Sequence, residues 1–309
     1  MSLDVKNLSK KYANKEVLGD LSFSMNKPGV YALLGTNGAG KTTSIRIILG
    51  MLASDGGSVL WNGKPLDSMS MNIGYLAEER GLYSKVSLMD QILYFAGLRN
   101  VPKKVALKRI DYWAKRLDVL EYIYPTGKGR KASKPKTADQ LSKGNQQKIQ
   151  LMIALISDPE LLVLDEPLSG LDPVNTDLFK DIIHEEVAKG KYMIMSSHQM
   201  ATIEEFCEDI TILNQGHVVL QGNLNEIKKG YGRVKMFVKC EGDIQGIIDE
   251  MGLVIEEVTP EGFSLKISKE EEAFHLLQKI MDHKIPIIRY ELREPSLHEI
   301  FVEKVGGDQ

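Results

Sequence analysis

The sequence predicts an α/β fold: a mainly parallel sheet with a helical insertion, followed by a smaller α+β domain of ferredoxin-like order. Three observations carry that reading. Short aliphatic runs at residues 30–34, 161–164 and 192–195 each stop at a cluster of glycine or polar residues, as buried parallel strands do. Between them, segments such as 41–49, 89–120 and 177–187 carry apolar residues at helical spacing, enough to cover both faces of such a sheet. Beyond Lys228-Lys229-Gly230-Tyr231-Gly232 the pattern changes to β-α-β-β-α-β, the order of a ferredoxin-like sandwich.

Taken in order, residues 30–34 (VYALL) lead through a glycine cluster into a helix, so the first unit reads strand, loop, helix. The largely helical residues 89–120 place the insertion at about 85–158. Residues 126–136 (TGKGRKASKPK) are too rich in Gly, Pro and Lys for a strand or a helix core. The first domain is expected at 1–228 and the second at 229–309. In the second, strands are expected at 234–240, 253–258, 263–268 and 286–292, and helices at 244–251 and 270–283. A last helix follows Pro295, with Ser296 as N-cap and Glu299 completing a capping box.

Composition bounds the function. With 309 residues, 43% of them hydrophobic, and a net charge of -3, the chain reads as two soluble globular domains at roughly 150 residues each. Disorder, collagen-like repeats and a disulfide scaffold are excluded. Cys207 and Cys240 are too few for a zinc site, so a reducing cytosol is expected. No stretch reaches the ~18 uncharged apolar residues of a spanning helix, and the N-terminus has no signal-peptide core. The charge is uneven: residues 99–148 carry a local +10 and residues 230–309 a local -6. The five basic residues from Lys128 to Lys136 read as a solvated loop, with anionic lipid as the alternative target.

Gly35-Thr36-Asn37-Gly38-Ala39-Gly40-Lys41-Thr42 fits G-x-x-x-x-G-K-[ST] between an expected strand and helix. Glycines let backbone N–H groups turn toward phosphates, the helix N-terminus adds partial positive charge, and Lys41 neutralises β- and γ-phosphate oxygens. Thr42 would offer its hydroxyl to Mg²⁺, and Thr43 would contact the α-phosphate. The strand at 161–164 delivers Asp165 toward the metal and Glu166 toward the attacking water. A nucleotide with β- and γ-phosphates, together with Mg²⁺, is therefore the expected ligand, and the resemblance described next makes that nucleotide ATP.

Between these motifs stands Leu141-Ser142-Lys143-Gly144-Asn145-Gln146-Gln147-Lys148. Here the chain resembles the nucleotide-binding subunit of ATP-binding cassette (ABC) transporters, whose signature has the form L-S-G-G-Q; Lys143 and Asn145 depart from it. The resemblance covers residues 1 to about 225 and implies the ABC ATPase fold of P-loop NTPases, in the exporter-type branch with a C-terminal extension. It implies that Tyr12 stacks on adenine, with a core tyrosine as the alternative. It implies that residues 169–172, ending in Asp172, couple the two sites of a dimer, and that His198 is the switch histidine at the γ-phosphate. Ser142 and Gly144 would bind the γ-phosphate held by the opposite protomer. Glu78 stands where the family usually has a glutamine that contacts Mg²⁺, and Glu79 and Arg80 would serve docking.

The resemblance implies an ATPase subunit that dimerises on ATP, as a homodimer or heterodimer, and drives a separately encoded membrane permease. Its location would be peripheral, at the cytoplasmic face of the cell membrane. No nucleic-acid partner is expected. A ribosome- or DNA-acting soluble ABC protein would show a second phosphate loop or sustained heptads in the insertion, and neither occurs. A regulatory, non-hydrolysing subunit is the other alternative, supported by Lys143, Asn145 and Glu78. The C-terminal domain reads as a packing or dimer-bracing unit.

Overall fold

The computed structural model describes residues 1–67, 70–78, 81–124 and 135–306. The chain divides into two compact units, Met1–Gln221 and Gly222–Gln309. The sequence places the boundary at 228/229, seven residues too late. Asn223 caps a helix that runs on to Tyr231, so Lys228–Gly232 is the end of a helix of the second unit and not a linker. Most of the basic linker at 127–136, with Glu79 and Arg80, lies outside the described residues.

The first unit contains β1 (Leu3–Tyr12), β2 (Lys15–Met25), β3 (Gly29–Gly35), α1 (Lys41–Ile48), β4 (Gly56–Trp61), β5 (Lys64–Pro65) and β6 (Ile73–Leu76). The insertion follows as α2 (Leu88–Leu98), α3 (Lys103–Arg116), α4 (Leu120–Ile123) and α5 (Lys143–Leu155). The chain then returns through β7 (Leu161–Asp165), α6 (Pro173–Ala188), β8 (Tyr192–Ser197), α7 (Met200–Ile203), β9 (Asp209–Asn214) and β10 (His217–Asn223).

Six strands form one sheet in the order β10-β9-β3-β8-β7-β6. The pairs β3/β8, β3/β9, β7/β8 and β6/β7 are parallel. Every residue of β7 and β8 is buried, because both faces of a parallel sheet are covered and no polar side is left to alternate. Register places Leu34 beside Ser197 and Asp165 beside Ser196. The carboxyl ends of three central strands therefore share one edge, where ligands of open α/β sheets bind.

A second, antiparallel sheet, β2-β1-β4-β5, is absent from the sequence reading. Register shifts interrupt β1 against both β2 and β4, so the period-2 alternation that marks a half-buried strand is broken. Its inner face still supplies Leu3, Leu8, Leu21 and Phe23 to a core shared with Leu33, Ile45, Val163 and Ile194. Phe23 stacks on Tyr31 at 4.1 Å between centroids, which ties the two sheets together.

The second unit comprises α8 (Leu224–Tyr231), β11 (Lys235–Cys240), α9 (Gln245–Glu250), β12 (Val254–Thr259), β13 (Gly262–Lys266), α10 (Glu270–Asp282), β14 (Ile287–Arg293) and α11 (Leu297–Gly306). Its sheet runs β12-β13-β11-β14 with antiparallel pairs, the strand arrangement expected of a ferredoxin-like sandwich. Met236, Val238, Ile248, Leu265, Leu276 and Ile280 form its core.

The capping box before α11 is present in full. Ser296 N donates to Glu299 Oε2 at 2.7 Å and Glu299 N donates to Ser296 Oγ at 3.2 Å. Arg293 adds a fork to the same carboxylate at 2.8 and 3.0 Å. Partial burial pushes the Glu299 carboxyl up, but Arg293 and Ser296 outweigh it and hold it down at about 2. Because the folded value lies below the unfolded one, the stability it adds is complete above about pH 4.5 and is lost as pH falls toward 2. Glu299→Gln should therefore be less stable than wild type at neutral pH. After allowance for solvent screening of the half-exposed Arg293, that gap should narrow by on the order of 1 kcal/mol at about pH 3.5. Denaturant unfolding of both full-length chains at the two pH values checks this, and a gap independent of pH would contradict it.

Candidate functional site

The site begins where β3 ends. Gly35, Gly38 and Gly40 have φ of +146°, +81° and +107°, a region that side-chain-bearing residues avoid. Two of them also lack room: a Cβ on Gly35 would lie 2.2 Å from the Leu213 carbonyl oxygen, and one on Gly40 2.8 Å from that of Val17. Gly38 faces open space, and Thr36, Asn37 and Gly38 are exposed. Ala39 N donates to Thr36 O at 3.1 Å and closes the loop. Lys41, at the first turn of α1, is buried, and its Nζ donates to Gly35 O at 2.8 Å and Thr36 O at 3.2 Å. A cation is thus held over the loop by two backbone carbonyls. Thr42 and Thr43 follow on the same turn, partly exposed.

Strands β7 and β8 bring the acidic half. Asp165 is fully buried, and its Oδ1 accepts from Ser196 Oγ at 2.5 Å and faces Thr42 Oγ1 at 3.4 Å. Its Oδ2 is buried with no hydrogen-bond partner. Burial pushes the Asp165 carboxyl up, against the hydrogen bonds from Ser196 and Thr42 that hold it down. Glu166 sits at φ +51°, a left-handed backbone that costs a non-glycine residue about 1–2 kcal/mol. Its N–H donates to Ser196 Oγ at 2.9 Å. Its Oε2 lies 2.8 Å from His198 Nδ1, and its Oε1 lies 3.4 Å from Lys41 Nζ. An ionised carboxylate only accepts, so Nδ1 carries the proton when Glu166 is charged.

The arrangement fits a polyphosphate with a divalent cation. Loop N–H groups, a helix N-terminus and a buried ammonium attract the phosphates. Thr42 Oγ1 and the orphaned Asp165 Oδ2 are hard oxygen donors of the kind Mg²⁺ takes. Among the described residues no group of three or more acidic, histidine or cysteine side chains could hold a metal unaided. Two protein oxygens suit an ion that arrives already coordinated by phosphate.

The remaining candidate residues lie apart from this cluster. Tyr12 is 52% exposed, which excludes the core-tyrosine alternative, and Lys10 Nζ stands 5.6 Å from its ring centroid. Ser142 is exposed and caps α5, accepting from Asn145 N at 3.3 Å. A Cβ on Gly144 would lie 3.6 Å from Leu171, and one on Gly170 3.0 Å from Lys143 Nζ, so the signature loop packs on residues 170–171. Asp172 is exposed and caps α6; the Asn175 backbone N–H, at 3.0 Å, holds its carboxyl below the usual range. No hydrogen bond or ion pair among the described residues joins Tyr12, Ser142, Gly144 or Asp172 to Lys41, Asp165, Glu166 or His198. Glu78 is exposed just past β6. The Tyr75 hydroxyl is pushed up to about 12, by burial first, then by Asp165 and in smaller part by Glu78, so both carboxylates act on the same phenol.

Sequence reasoning missed two polar residues of this site. In the sequence Ser196 is only the polar residue that ends the run at 192–195; its burial and its partners leave no signal there. Gln147, which donates to the Pro167 carbonyl at 2.6 Å, gave no signal beyond its place in the signature segment. Ser196→Ala would leave the Glu166 N–H and Asp165 Oδ1 short of a partner inside the protein. The expected loss is about 1–3 kcal/mol in denaturant unfolding of the full chain, and an unchanged midpoint would contradict the bridging role.

Comparison with known proteins agrees with the geometry. The family model described as ABC transporter matches residues 18–169, and that for the C-terminal domain of DrrA1-3-like ATP-binding proteins matches residues 222–305. The ABC transporter ATP-binding protein YhaQ of Bacillus subtilis is 39% identical over 99% of both chains. The fluoroquinolones export ATP-binding protein of Mycobacterium tuberculosis is 29% identical over 98% of this chain and 92% of its own. A solved ATP-binding subunit of an ABC transporter superposes with a TM-score of 0.66 at 28% identity, covering 75% of this chain and 94% of that one. With a phosphate loop, a signature segment and a matching C-terminal unit in one polypeptide, the chain belongs to the ATP-binding subunits of ABC transporters, a family of ATPases.

Proposed function

We propose that this subunit hydrolyses MgATP between two nucleotide-binding chains and uses the resulting opening to drive a membrane exporter. The observation that carries the reading is the Glu166 carboxylate, held between Lys41 and His198 at the mouth of the phosphate loop. Glu166 is the base that takes the proton of the attacking water, and His198 orients it through Oε2. Lys41 and the loop N–H groups hold the β- and γ-phosphates, Thr43 the α-phosphate, and Tyr12 offers its exposed ring to adenine. Thr42 and Asp165 would hold Mg²⁺, with Glu78 as a further candidate ligand, and the ion would supply neutralisation of charge developing on the transferred phosphoryl group.

Among the described residues the signature residues Ser142 and Gly144 make no hydrogen bond to Lys41, Asp165, Glu166 or His198, which supports their acting on the nucleotide of a second chain, with the N-terminus of α5 aimed at the γ-phosphate. The packing of Lys143 and Gly144 on residues 170–171 gives the segment ending in Asp172 a route between the two sites. Losing γ-phosphate contacts on hydrolysis favours the open pair. Export is favoured by the name of the mycobacterial relative. Among the described residues no helix is long and apolar enough to cross a membrane, which supports peripheral attachment to a separate permease at the cytoplasmic face.

For that permease, the first unit offers an apolar groove of about 530 Å³ beside residues 76–77, lined by Leu49, Tyr75, Phe95 and Leu98 among others. Leu98 is 60% exposed, so Leu98→Glu should leave the fold and the permease-free ATPase rate within about twofold. Co-purification with the membrane subunit should fall; full retention of that partner would remove the groove from the account.

Glu166→Gln is expected to retain ATP binding and lose turnover by a factor of about 10² to 10⁴, accumulating as an ATP-bound dimer. Lys41→Ala should lose nucleotide affinity itself. Wild-type hydrolysis by the first variant, or wild-type affinity in the second, would refute the corresponding assignment; equilibrium ATP binding and steady-state phosphate release measure both.

A further inference from the structure

The backbone that carries Glu166 is gripped from two sides. On one side the Ser196 hydroxyl accepts the Glu166 N–H at 2.9 Å. On the other, Gln147 Nε2 donates to the Pro167 carbonyl at 2.6 Å and reaches the Glu166 carbonyl at 3.4 Å. Gln147 is buried, and its Oε1 has no hydrogen-bond partner. The side chain is thus committed to the loop through its donor alone, at the cost of an unpaired acceptor. The peptide it holds is a strained one, since Glu166 lies at φ +51°, and such backbones persist only where surroundings over-determine them.

Gln147 stands in the second turn of α5, five residues after the cap Ser142. A helix turn is stiff, so a tilt imposed at the helix N-terminus moves Gln147 with it. We propose that Gln147 is a positioning residue. It fixes the Glu166 peptide, and it carries displacement of the signature loop into the orientation of the Glu166 carboxylate of the same chain. This rests on the reading above, in which Ser142 meets a second chain's nucleotide and Glu166 serves its own. Under that reading, engagement of one nucleotide site adjusts the base of the other through one side chain. The chemistry asked of Gln147 is only donation of an amide hydrogen to a carbonyl; it touches neither water nor phosphate.

The test uses the full chain and two apolar variants that remove the donor while filling the space, Gln147→Met and Gln147→Leu. Expected is a fall in kcat of about 100-fold, the effect of a sub-ångström to ångström misplacement of a catalytic group, with KM and the equilibrium affinity for ATP within about twofold. A loss of fold alone would move affinity and melting temperature together, so the split between kcat and affinity separates positioning from structure; if Gln147→Met does not fold, Gln147→Leu gives the reading. Wild-type kcat in a folded variant overturns the proposal, as does a fall in ATP affinity that accounts for the whole loss. Glu166→Gln runs beside them: if it too turns over at the wild-type rate, the base assignment has failed, whereas an inactive Glu166→Gln with active Gln147 variants removes the positioning role alone.

Discussion

One buried hydroxyl organises the catalytic edge of this protein. Ser196 Oγ donates to Asp165 and accepts from the N–H of Glu166, and all three side chains or backbones are out of water. Two adjacent carboxylates point in different directions from one strand end. The Ser196 bridge does this by fixing Asp165 toward Thr42 while the left-handed turn at Glu166 swings the next carboxylate toward Lys41 and His198. It works only because β7 and β8 are registered parallel neighbours, with Asp165 opposite Ser196. The fully buried strands and the covering helices are what fix that register.

The same logic explains what could be read without the structure. Runs such as residues 161–164 and 192–195 are legible because a strand buried on both faces has no other way to be written. The phosphate loop is legible because its glycines answer to positive φ and, at Gly35 and Gly40, to carbonyls within 3 Å of where a Cβ would stand. The antiparallel sheet was illegible because bulges in β1 destroy the alternation on which recognition depends. The unit boundary was misplaced because Asn223 starts a helix whose lysine-rich last turn imitates a linker. Ser196 and Gln147 escaped notice for a different reason. Their importance lies in backbone groups far away in sequence, and single-residue types carry no trace of such partners.

The charge asymmetry of the chain also finds a structural setting. In the second unit, acidic side chains are matched by local cations: Lys235 with Glu256, Lys239 with Glu261, Lys279 with Glu250 and Arg293 with Glu299. In the insertion, Arg109 and Arg116 reach Asp158 and Glu185 and so bind α3 to the parallel-sheet body. In the insertion, two arginines of the basic segment pair with carboxylates outside residues 99–148, whereas the pairs within the second unit leave its acidic excess as it stands, and a solvent-exposed pair is worth little alone.

The central claim is that one chain supplies the phosphate loop, the metal carboxylate and the base, while the signature loop completes the site of another chain. Its most direct test is the ATPase rate per chain as a function of chain concentration, measured with MgATP in excess. If two chains make one working site, the specific activity rises with concentration in the dilute range and levels off once the dimer is populated. A specific activity that stays constant from the lowest measurable concentration upward, in a chain that sizing shows to be monomeric with ATP bound, would contradict it.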